Sequence, residues 1–373
     1  MWTTEKMTDI DAETKLLRYC ARLPGGRAGD PPALSELRHW DSWVQHAEQH
    51  GLSPLAYAHL HRCPELPEQV RLALRALALR HRHANRVRFD VLAEILDAFA
   101  ARRIETVVLK GAALAHTLYP EPGLRPMRDL DLLVLKSRRY DAREALRALG
   151  FDADAQAPTP YMSDHHHLPN AALVREGLKI SVEIHDDALS RDAPESITLG
   201  RLGAPLRPFQ MLGRMAYAFG HVDMLCHLCR HLLEPAAEVR LISVVDIVEY
   251  AARHEAEIDW TFLARQHPFV PATLALLGYI VPLPPGLVSR IPPAPVPPPE
   301  GVAQCMLPLS QILLGRVRWR ELFRRIFYPS DWWLHAYYGV SLGRSLGITR
   351  WTRHPVHVAF WLYRRWRAGM SAT

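Results

Sequence analysis

Two neighbouring segments decide the fold: Thr106-Val-Val-Leu-Lys-Gly-Ala-Ala-Leu114 and Arg125-Pro-Met-Arg-Asp-Leu-Asp-Leu-Leu-Val134. The first predicts a strand that runs into a Lys-Gly turn and a short helix, and the second predicts a buried strand that opens with two aspartates. Because side chains alternate along a strand, Asp129 and Asp131 should point to the same face. Two carboxylates on one face repel unless a cation lies between them, and their oxygens suit a hard ion such as Mg²⁺.

Residues on either side of the aspartate pair extend this pattern. Lys110 and Gly111 form a turn at a helix start, where phosphate groups can bind. A third carboxylate, Glu183, lies in the strand-like segment Ile180-Ser-Val-Glu-Ile-His185 and completes a ligand set for two divalent ions. Two such ions can stabilise the entering and the leaving oxygen of an in-line displacement at phosphorus. The pattern therefore predicts a metal–nucleoside triphosphate site.

Each residue of this site has a predicted role. Asp129 would bridge both ions, Asp131 would bind metal together with Asp129, and Glu183 would hold the ion facing the acceptor. These three are the predicted catalytic and metal-binding residues. His185 follows Glu183 on the same strand face, so it is predicted to line the acceptor side, as a substrate-orienting or proton-transfer group. The predicted nucleotide-binding residues are Lys110, Gly111, Ala112, Arg125 and Arg128.

Simpler interpretations remain open for the charged residues. Asp129 and Asp131 could form salt bridges with the neighbouring arginines, and Lys110 could form a structural ion pair with the aspartates. Glu183 could be an exposed position on an alternating strand.

Two further segments carry potential metal ligands. His165-His-His167 could be a metal cluster or an acceptor-site group, but a polar loop before the next strand is favoured. The segment Cys226-His-Leu-Cys-Arg-His231 lacks the second pair of ligands that structural zinc sites usually have, so it is predicted to be a buried helix.

Composition places the chain among globular proteins. Its 373 residues, 49% of them hydrophobic, suffice for two or three domains. The net charge of +6 fits an anionic substrate, although solvated Arg-rich helices explain it more simply. Five scattered cysteines indicate a reducing cytoplasm. We expect neither a signal peptide nor a membrane span, because the N-terminus lacks an apolar core and prolines interrupt the longest uncharged passage.

The order of the predicted elements indicates an α+β fold, with a small mixed-sheet core between N- and C-terminal helical regions. A long helix is predicted from Pro67 to about residue 101, and its basic run at 80–88 is either solvated or partly turned toward the anionic site. Another helix is predicted over residues 209–233. The predicted regions are 1–105 (helical), 106–205 (core), 206–281 (helical), 282–300 (extended, proline-rich linker) and 301–373 (helical).

At these motifs the chain resembles a known family. Leu109-Lys-Gly-Ala-Ala, Leu124-Arg-Pro-Met-Arg-Asp-Leu-Asp-Leu-Leu-Val134 and Val182-Glu-Ile-His185 are similar to nucleotidyltransferase family 5, of the polymerase-β-like superfamily. The resemblance covers most of the chain and is most specific over residues 106–185. It implies Mg²⁺-dependent transfer of a nucleoside monophosphate from a nucleoside triphosphate to a small-molecule or peptide acceptor. It also implies a place in natural-product biosynthesis, including that of lasso peptides, or in polysaccharide biosynthesis.

The chain departs from the family pattern at two places. Gly111-Ala112 stands where the superfamily commonly has Gly-Gly or Gly-Ser, which removes a hydroxyl contact to phosphate. Asp186 and Asp187 follow His185, where relatives often carry an aromatic residue. The alternative function is a non-catalytic nucleotide-binding or scaffold protein of a biosynthetic cluster. Nucleic acid is an unlikely partner, since no separate basic-aromatic RNA module is evident.

Overall fold

A mixed four-stranded sheet lies in the middle of the chain. The computed structural model describes residues 4–25, 31–153, 165–191, 193–233, 240–291, 327–341 and 343–370. The strands of this sheet are β1 (Thr106–Val108), β2 (Asp129–Val134), β3 (Ala171–Arg175) and β4 (Leu178–His185). Their order in the sheet is β1-β2-β4-β3. β2 pairs antiparallel with β1 and parallel with β4, and β3 pairs antiparallel with β4.

The register of the two central strands positions the acidic residues. Asp131 lies opposite Glu183, Asp129 lies opposite Ser181, and Leu133 lies opposite His185. Because all of these positions share one parity along their strands, their side chains point to the same face of the sheet. The intervening leucines and valines are buried, as expected for central strands covered on both faces.

Helices surround the sheet, so the fold is α+β, as predicted. They are α1 (Thr4–Cys20), α2 (Trp40–Gln49), α3 (Ser53–Leu60), α4 (Glu68–Ala101), α5 (Lys110–Thr117), α6 (Arg139–Ala148), α7 (His221–Leu233), α8 (Leu241–Arg253), α9 (Trp260–Gln266), α10 (Phe269–Leu277), α11 (Pro285–Arg290), α12 (Asp331–Tyr338) and α13 (His354–Met370). Buried side chains from the N-terminal helices, the sheet and the later helices form one continuous apolar cluster. In the part of the chain that is described, no helix is long and apolar enough to cross a membrane.

The long helix α4 holds the loop that precedes the two aspartates. It begins directly after Pro67, as predicted, and runs for 34 residues. Asn85 is buried in its middle, and its amide nitrogen donates hydrogen bonds to the carbonyl oxygens of Pro122 and Arg125, both at 2.8 Å. A buried amide is stable only when such bonds are made. The contact therefore fixes the approach of the chain to β2.

The predicted helix over residues 209–233 is wrong in its first part. Residues Arg207–Met211 (β5) and Arg214–Ala218 (β6) form an antiparallel hairpin, and the helix α7 begins only at His221. Phe209, Met211, Ala216 and Ala218 are buried in alternation, which is the period of a strand. The two-residue turn is formed by Leu212 and Gly213, with φ of 49° and 75°, as the twist of a tight hairpin requires.

The proline-rich region is not extended throughout. Residues Pro285–Arg290 form the helix α11, which begins with a proline at its first position, where the missing N–H costs nothing. Leu287 is buried, and the helix packs against α8. The remainder of the predicted linker, residues 292–300, lies outside the described residues. Within the predicted helical region 206–281, the helices α9 and α10 are separated by His267 and Pro268.

Candidate active site

The acidic side chains meet where β2 and β4 run side by side. Ligand atoms of Asp131, Glu183 and His185 all lie within 4.8 Å of one another. Asp131 is 3% exposed, whereas Asp129, at the start of β2, is open to solvent. The sequence had placed the two aspartates and Glu183 in one site, and the strand register provides the juxtaposition of Asp131 with Glu183.

The protonation equilibria of these carboxyl groups differ. Desolvation of the carboxyl group within the acidic cluster and the negative charge of Asp131 raise the pKa of Asp129, although the residue as a whole is exposed. Burial by itself would raise the pKa of Asp131, but Lys110 and His185 hold it well below its usual range. Burial would also raise the pKa of Glu183, but His185 and the positive charge of Lys110 together lower it. Carboxylate oxygens of Asp131 and Glu183 that lie this close together form a donor set that fits a divalent cation.

His185 lies beneath the carboxylates and is 1% exposed. Its Nε2 atom is 3.0 Å from Asp131 Oδ1 and 3.4 Å from Glu183 Oε2. Burial alone would lower the pKa of His185, but these two carboxylates raise it above its ordinary value. The histidine therefore sits where it can hold a proton between the two acidic groups.

Lys110 and Gly111 lie at the start of α5, at the end of β1. Lys110 Nζ is 3.2 Å from Asp131 Oδ1, so the lysine forms the ion pair that the sequence left open. Its backbone is left-handed, with φ of 44°, a conformation that costs a non-glycine residue about 1–3 kcal/mol. A Cβ at Gly111 would lie 3.0 Å from Arg125 Nη1 and 3.1 Å from Met127 Cγ. Glycine thus permits the close approach of the turn to the loop before β2.

The two predicted phosphate-binding arginines have different surroundings. Arg125 is largely buried and its Nη2 donates to Asp246 Oδ2 on α8 at 2.6 Å, so the guanidinium joins the loop to that helix. Tyr119 also donates to Asp246, at 2.7 Å. Arg128 is exposed beside Asp129. A phosphate-binding role for either arginine stays a prediction.

Arg88 on α4 is a further cation near the carboxylates. Its Nε atom is buried and has no hydrogen-bond partner within the described ranges. Burial lowers the pKa of Arg88, and Asp129 acts on it in the opposite direction. The sequence had identified only a basic run at 80–88. In the structure Arg82 and Arg86 pair with surface acids, whereas Arg88 is turned toward Asp129, a difference that follows from helical periodicity.

The segment with three histidines is a loop before β3, as the sequence favoured, and it lies beside His185. His167 forms an isolated β-bridge with His185, and Asp186 N donates to His166 O at 2.9 Å. The rings of His166 and His167 lie 5.3 and 5.2 Å from the ring of His185. Only the tertiary structure could show that these histidines lie beside His185, because the whole of β3 lies between the histidine segment and β4 in the sequence.

The acidic residues after His185 have structural contacts. Asp186 is buried and pairs with Arg139 and with Arg191, whose Nη2 lies 2.6 Å from Asp186 Oδ1. Asp187 accepts hydrogen bonds from the backbone of Leu189 and Ile197, both at 3.0 Å. These two aspartates therefore order the chain that follows β4.

The Cys226-to-His231 segment lies in the buried helix α7, as predicted. Cys226 and Cys229 are buried and not disulfide-bonded. Burial raises the pKa of both thiols. Neither thiol belongs to a potential metal-ligand group among the described residues.

Comparison with known proteins identifies the class of this chain. A family model described as uncharacterised nucleotidyltransferase matches residues 36–268. No curated protein and no solved structure matches the chain. The family match includes the hairpin, helices α2–α9 and the whole four-stranded sheet with its acidic residues. The chain belongs to nucleotidyltransferase family 5, the family that its Lys-Gly and Asp-Leu-Asp motifs had suggested.

Proposed function

We propose that this protein is a Mg²⁺-dependent nucleotidyltransferase of the polymerase-β-like type. It would transfer a nucleoside monophosphate from a nucleoside triphosphate to a hydroxyl group of a small-molecule or peptide acceptor. The observation that carries the proposal is the parallel β2–β4 register, which sets Asp131 opposite Glu183 with Asp129 on the same face. The family match supports the reaction class.

Asp129, Asp131 and Glu183 are the residues that would hold Mg²⁺. When bound, two such ions would neutralise the triphosphate and favour the deprotonated form of the acceptor hydroxyl. A new bond then forms between the acceptor oxygen and the α-phosphorus, while the bond to the pyrophosphate oxygen breaks. The carboxylate of Glu183 would help to remove the acceptor proton, and His185, whose Nε2 atom lies 3.4 Å from Glu183 Oε2, would orient that carboxylate.

The cations around Asp129 and Asp131 would hold the phosphates. Lys110 lies within ion-pairing distance of Asp131, and a triphosphate with Mg²⁺ would compete for its ammonium group. Arg128 is exposed and adjoins Asp129 in the sequence, and Arg88 is half-buried and interacts electrostatically with Asp129. A guanidinium suits the planar, bidentate contacts of phosphate oxygens.

The acceptor side is proposed to lie around His185 and the three-histidine segment. The helical regions on either side of the core would select the acceptor. A role in peptide natural-product or polysaccharide biosynthesis rests on the family resemblance, and a cytoplasmic location on the four unpaired cysteines among the described residues.

The test is transfer of label from each α-³²P-labelled nucleoside triphosphate to an extract of small metabolites and peptides, with and without Mg²⁺. Asp129→Ala should abolish transfer and weaken Mg²⁺-dependent nucleotide binding. Asp97→Ala is the matched control, because Asp97 is an exposed carboxylate whose contact is a surface pair with Arg214. Equal label transfer by wild type and Asp129→Ala would refute the proposal. Tight nucleotide binding without turnover would favour the binding-protein alternative.

A further inference from the structure

His165, His166 and His167 bring their imidazoles together beside the carboxylates. Their ring nitrogens offer ligand atoms within 4.8 Å of one another. Backbone hydrogen bonds fix the segment against the end of β4, including one from Leu168 N to Ile184 O at 2.9 Å. The backbone pairing with the end of β4 therefore holds the three imidazoles close to one another.

His167 is held in one tautomer. Its Nδ1 atom lies 2.8 Å from the carbonyl oxygen of Leu168. A carbonyl oxygen only accepts, so Nδ1 carries the proton and Nε2 keeps its lone pair. Metal-binding histidines are commonly oriented by this kind of bond from the second ring nitrogen.

A second observation points to a ligand at the same place. His185 is 1% exposed, and its Nδ1 atom has no hydrogen-bond partner in the described part of the chain. The carboxylates engage only its Nε2 atom. A buried ring nitrogen of this kind usually has a partner, which can be a bound water or ligand. The rings of His166 and His167 lie 5.3 and 5.2 Å from the ring of His185, so the unpartnered nitrogen belongs to a ring that adjoins the histidine group.

We propose that His165, His166 and His167 bind a divalent transition metal such as Zn²⁺, at a site separate from the Mg²⁺ carboxylates. Imidazole nitrogen suits Zn²⁺, whereas Mg²⁺ prefers oxygen ligands. In tetrahedral coordination with zinc–nitrogen bonds of about 2.0–2.1 Å, ligand nitrogens lie about 3.3 Å apart, so only small side-chain rotations are needed.

A metal ion at the three histidines could bind the acceptor, because the histidines lie beside His185. Three imidazoles leave a coordination position for a water molecule or an oxygen, nitrogen or sulfur atom of the acceptor. The position beside His185 is on the acceptor side of the carboxylates. This acceptor role rests on the proposed function, but the metal binding itself does not.

Another group of potential ligands is less suited to a metal. His221, His254 and Glu257 are already joined by short contacts, with His254 Nδ1 2.8 Å from Glu257 Oε1. His221 Nδ1 lies 3.2 Å from Arg207 Nη1 and 3.0 Å from Tyr250 Oη. A guanidinium at that distance repels a metal ion.

The test is titration of the untagged full-length protein with Co²⁺, followed by visible absorption, and then displacement by Zn²⁺ in the presence of excess Mg²⁺. Tetrahedral Co²⁺ has intense d–d bands that report its ligands. We expect one high-affinity Co²⁺ per chain, and at least a 100-fold loss of affinity in His165→Ala/His167→Ala. The single variant His167→Gln provides a second measurement if the double variant does not fold.

Two control variants separate the possible outcomes. His83→Ala removes an exposed histidine on α4 and should bind Co²⁺ like wild type. Asp129→Ala should also keep the Co²⁺ spectrum while it loses Mg²⁺-dependent nucleotide binding. The two measurements therefore distinguish a wrong assignment of the nucleotidyltransferase function from a wrong assignment of the histidine metal site. Equal Co²⁺ affinity and spectra in wild type and both folded histidine variants would overturn the proposal, as would the absence of high-affinity binding in wild type.

Discussion

Substitution of Asp246 by alanine should destabilise the protein and displace the loop before β2. Asp246 is 2% exposed and lies on α8, far in sequence from the Asp-Leu-Asp motif. Its carboxylate accepts hydrogen bonds from Arg125 Nε and Nη2, at 3.0 and 2.6 Å, and from Tyr119 Oη at 2.7 Å. Removal of the carboxylate leaves the Arg125 charge largely buried without its counter-ion.

The magnitude follows from these contacts. Loss of one partner of a buried ion pair typically costs about 3–5 kcal/mol, because the other charge remains desolvated. The hydroxyl of Tyr119 would add an unsatisfied donor, at about 1–3 kcal/mol, although the two effects are not additive. We expect Asp246→Ala to lower the free energy of unfolding by about 3–5 kcal/mol. Nucleotide binding should weaken as well, since Arg125 packs against Gly111.

Urea denaturation provides the assay, on the wild type, Asp246→Ala, Asp246→Leu, Arg125→Met and the double variant Asp246→Leu/Arg125→Met. Each single variant should be strongly destabilised, whereas the double variant should recover most of the loss, because a hydrophobic pair needs no counter-ion. Arg82→Ala is the control, since Arg82 and Glu121 form a surface pair at 3.0 Å whose side chains are 64% and 62% exposed. Its effect should stay within about 1 kcal/mol.

Additive effects in this cycle would refute the reasoning. So would an Arg125→Met variant that keeps wild-type stability but loses nucleotide affinity. That second result would assign Arg125 to phosphate binding rather than to the connection between the loop and α8.

The remaining predictions concern chemistry, acid stability and packing. Glu183→Gln should lower label transfer by about 10³-fold or more, since it removes a metal ligand while keeping the shape of the side chain. Glu48 should make stability fall in acid: burial raises its pKa, but hydrogen bonds from His81 and Ser53 lower it to about 2. The ionised Glu48 carboxylate contributes at most about 3 kcal/mol to the free energy of unfolding. This contribution is present above the pKa of Glu48 in the unfolded chain, near 4.5, and disappears as the pH falls to about 2. Gly111→Ala should weaken nucleotide binding and cost about 1–3 kcal/mol of stability, because the new Cβ meets Arg125 and Met127.

Each of these predictions has a matched comparison. Glu144→Gln, on the exposed face of α6, should leave label transfer unchanged, and equal losses in both variants would contradict a specific role for Glu183. Glu48→Gln should flatten the stability profile between pH 4.5 and 2; a profile as steep as that of wild type would contradict the assignment. Gly200→Ala, where a Cβ meets nothing within 4 Å and φ lies outside the left-handed region, is the control for the contacts that Gly111→Ala disturbs, and an equal loss of stability in both would contradict the packing argument.

Helices and strands were predictable from the sequence where apolar residues recur with a clear helical or strand period. The amphipathic pattern of α4 and its initial proline identified nearly the whole helix. The hairpin at Arg207–Met211 and Arg214–Ala218 was missed, although it alternates with period two around Leu212-Gly213. Its strands have five residues each, and a short apolar pattern next to a helix is easily assigned to that helix.

The site residues were predictable in kind and less so in their partners. Two aspartates one residue apart on a strand must share a face, so the chain by itself determined an acidic pair after a Lys-Gly turn. It also determined a third carboxylate on a strand of the same module. Phosphate, metal and acceptor roles for these side chains follow from chemistry and await the experiments above.

Long-range pairing was decided only by the tertiary structure. The parallel register sets Glu183 opposite Asp131, the bridge from His167 brings three imidazoles to His185, and Asp246 from α8 binds Arg125. These contacts join residues separated by up to 121 positions, and no local period encodes which strands pair or which buried charges meet. The sequence thus determined the acidic pair and the turn before it. The fold decided the register that sets Glu183 opposite Asp131 and the partners that the histidines and Arg125 find, because burial requires each polar group to have a partner within the packed core.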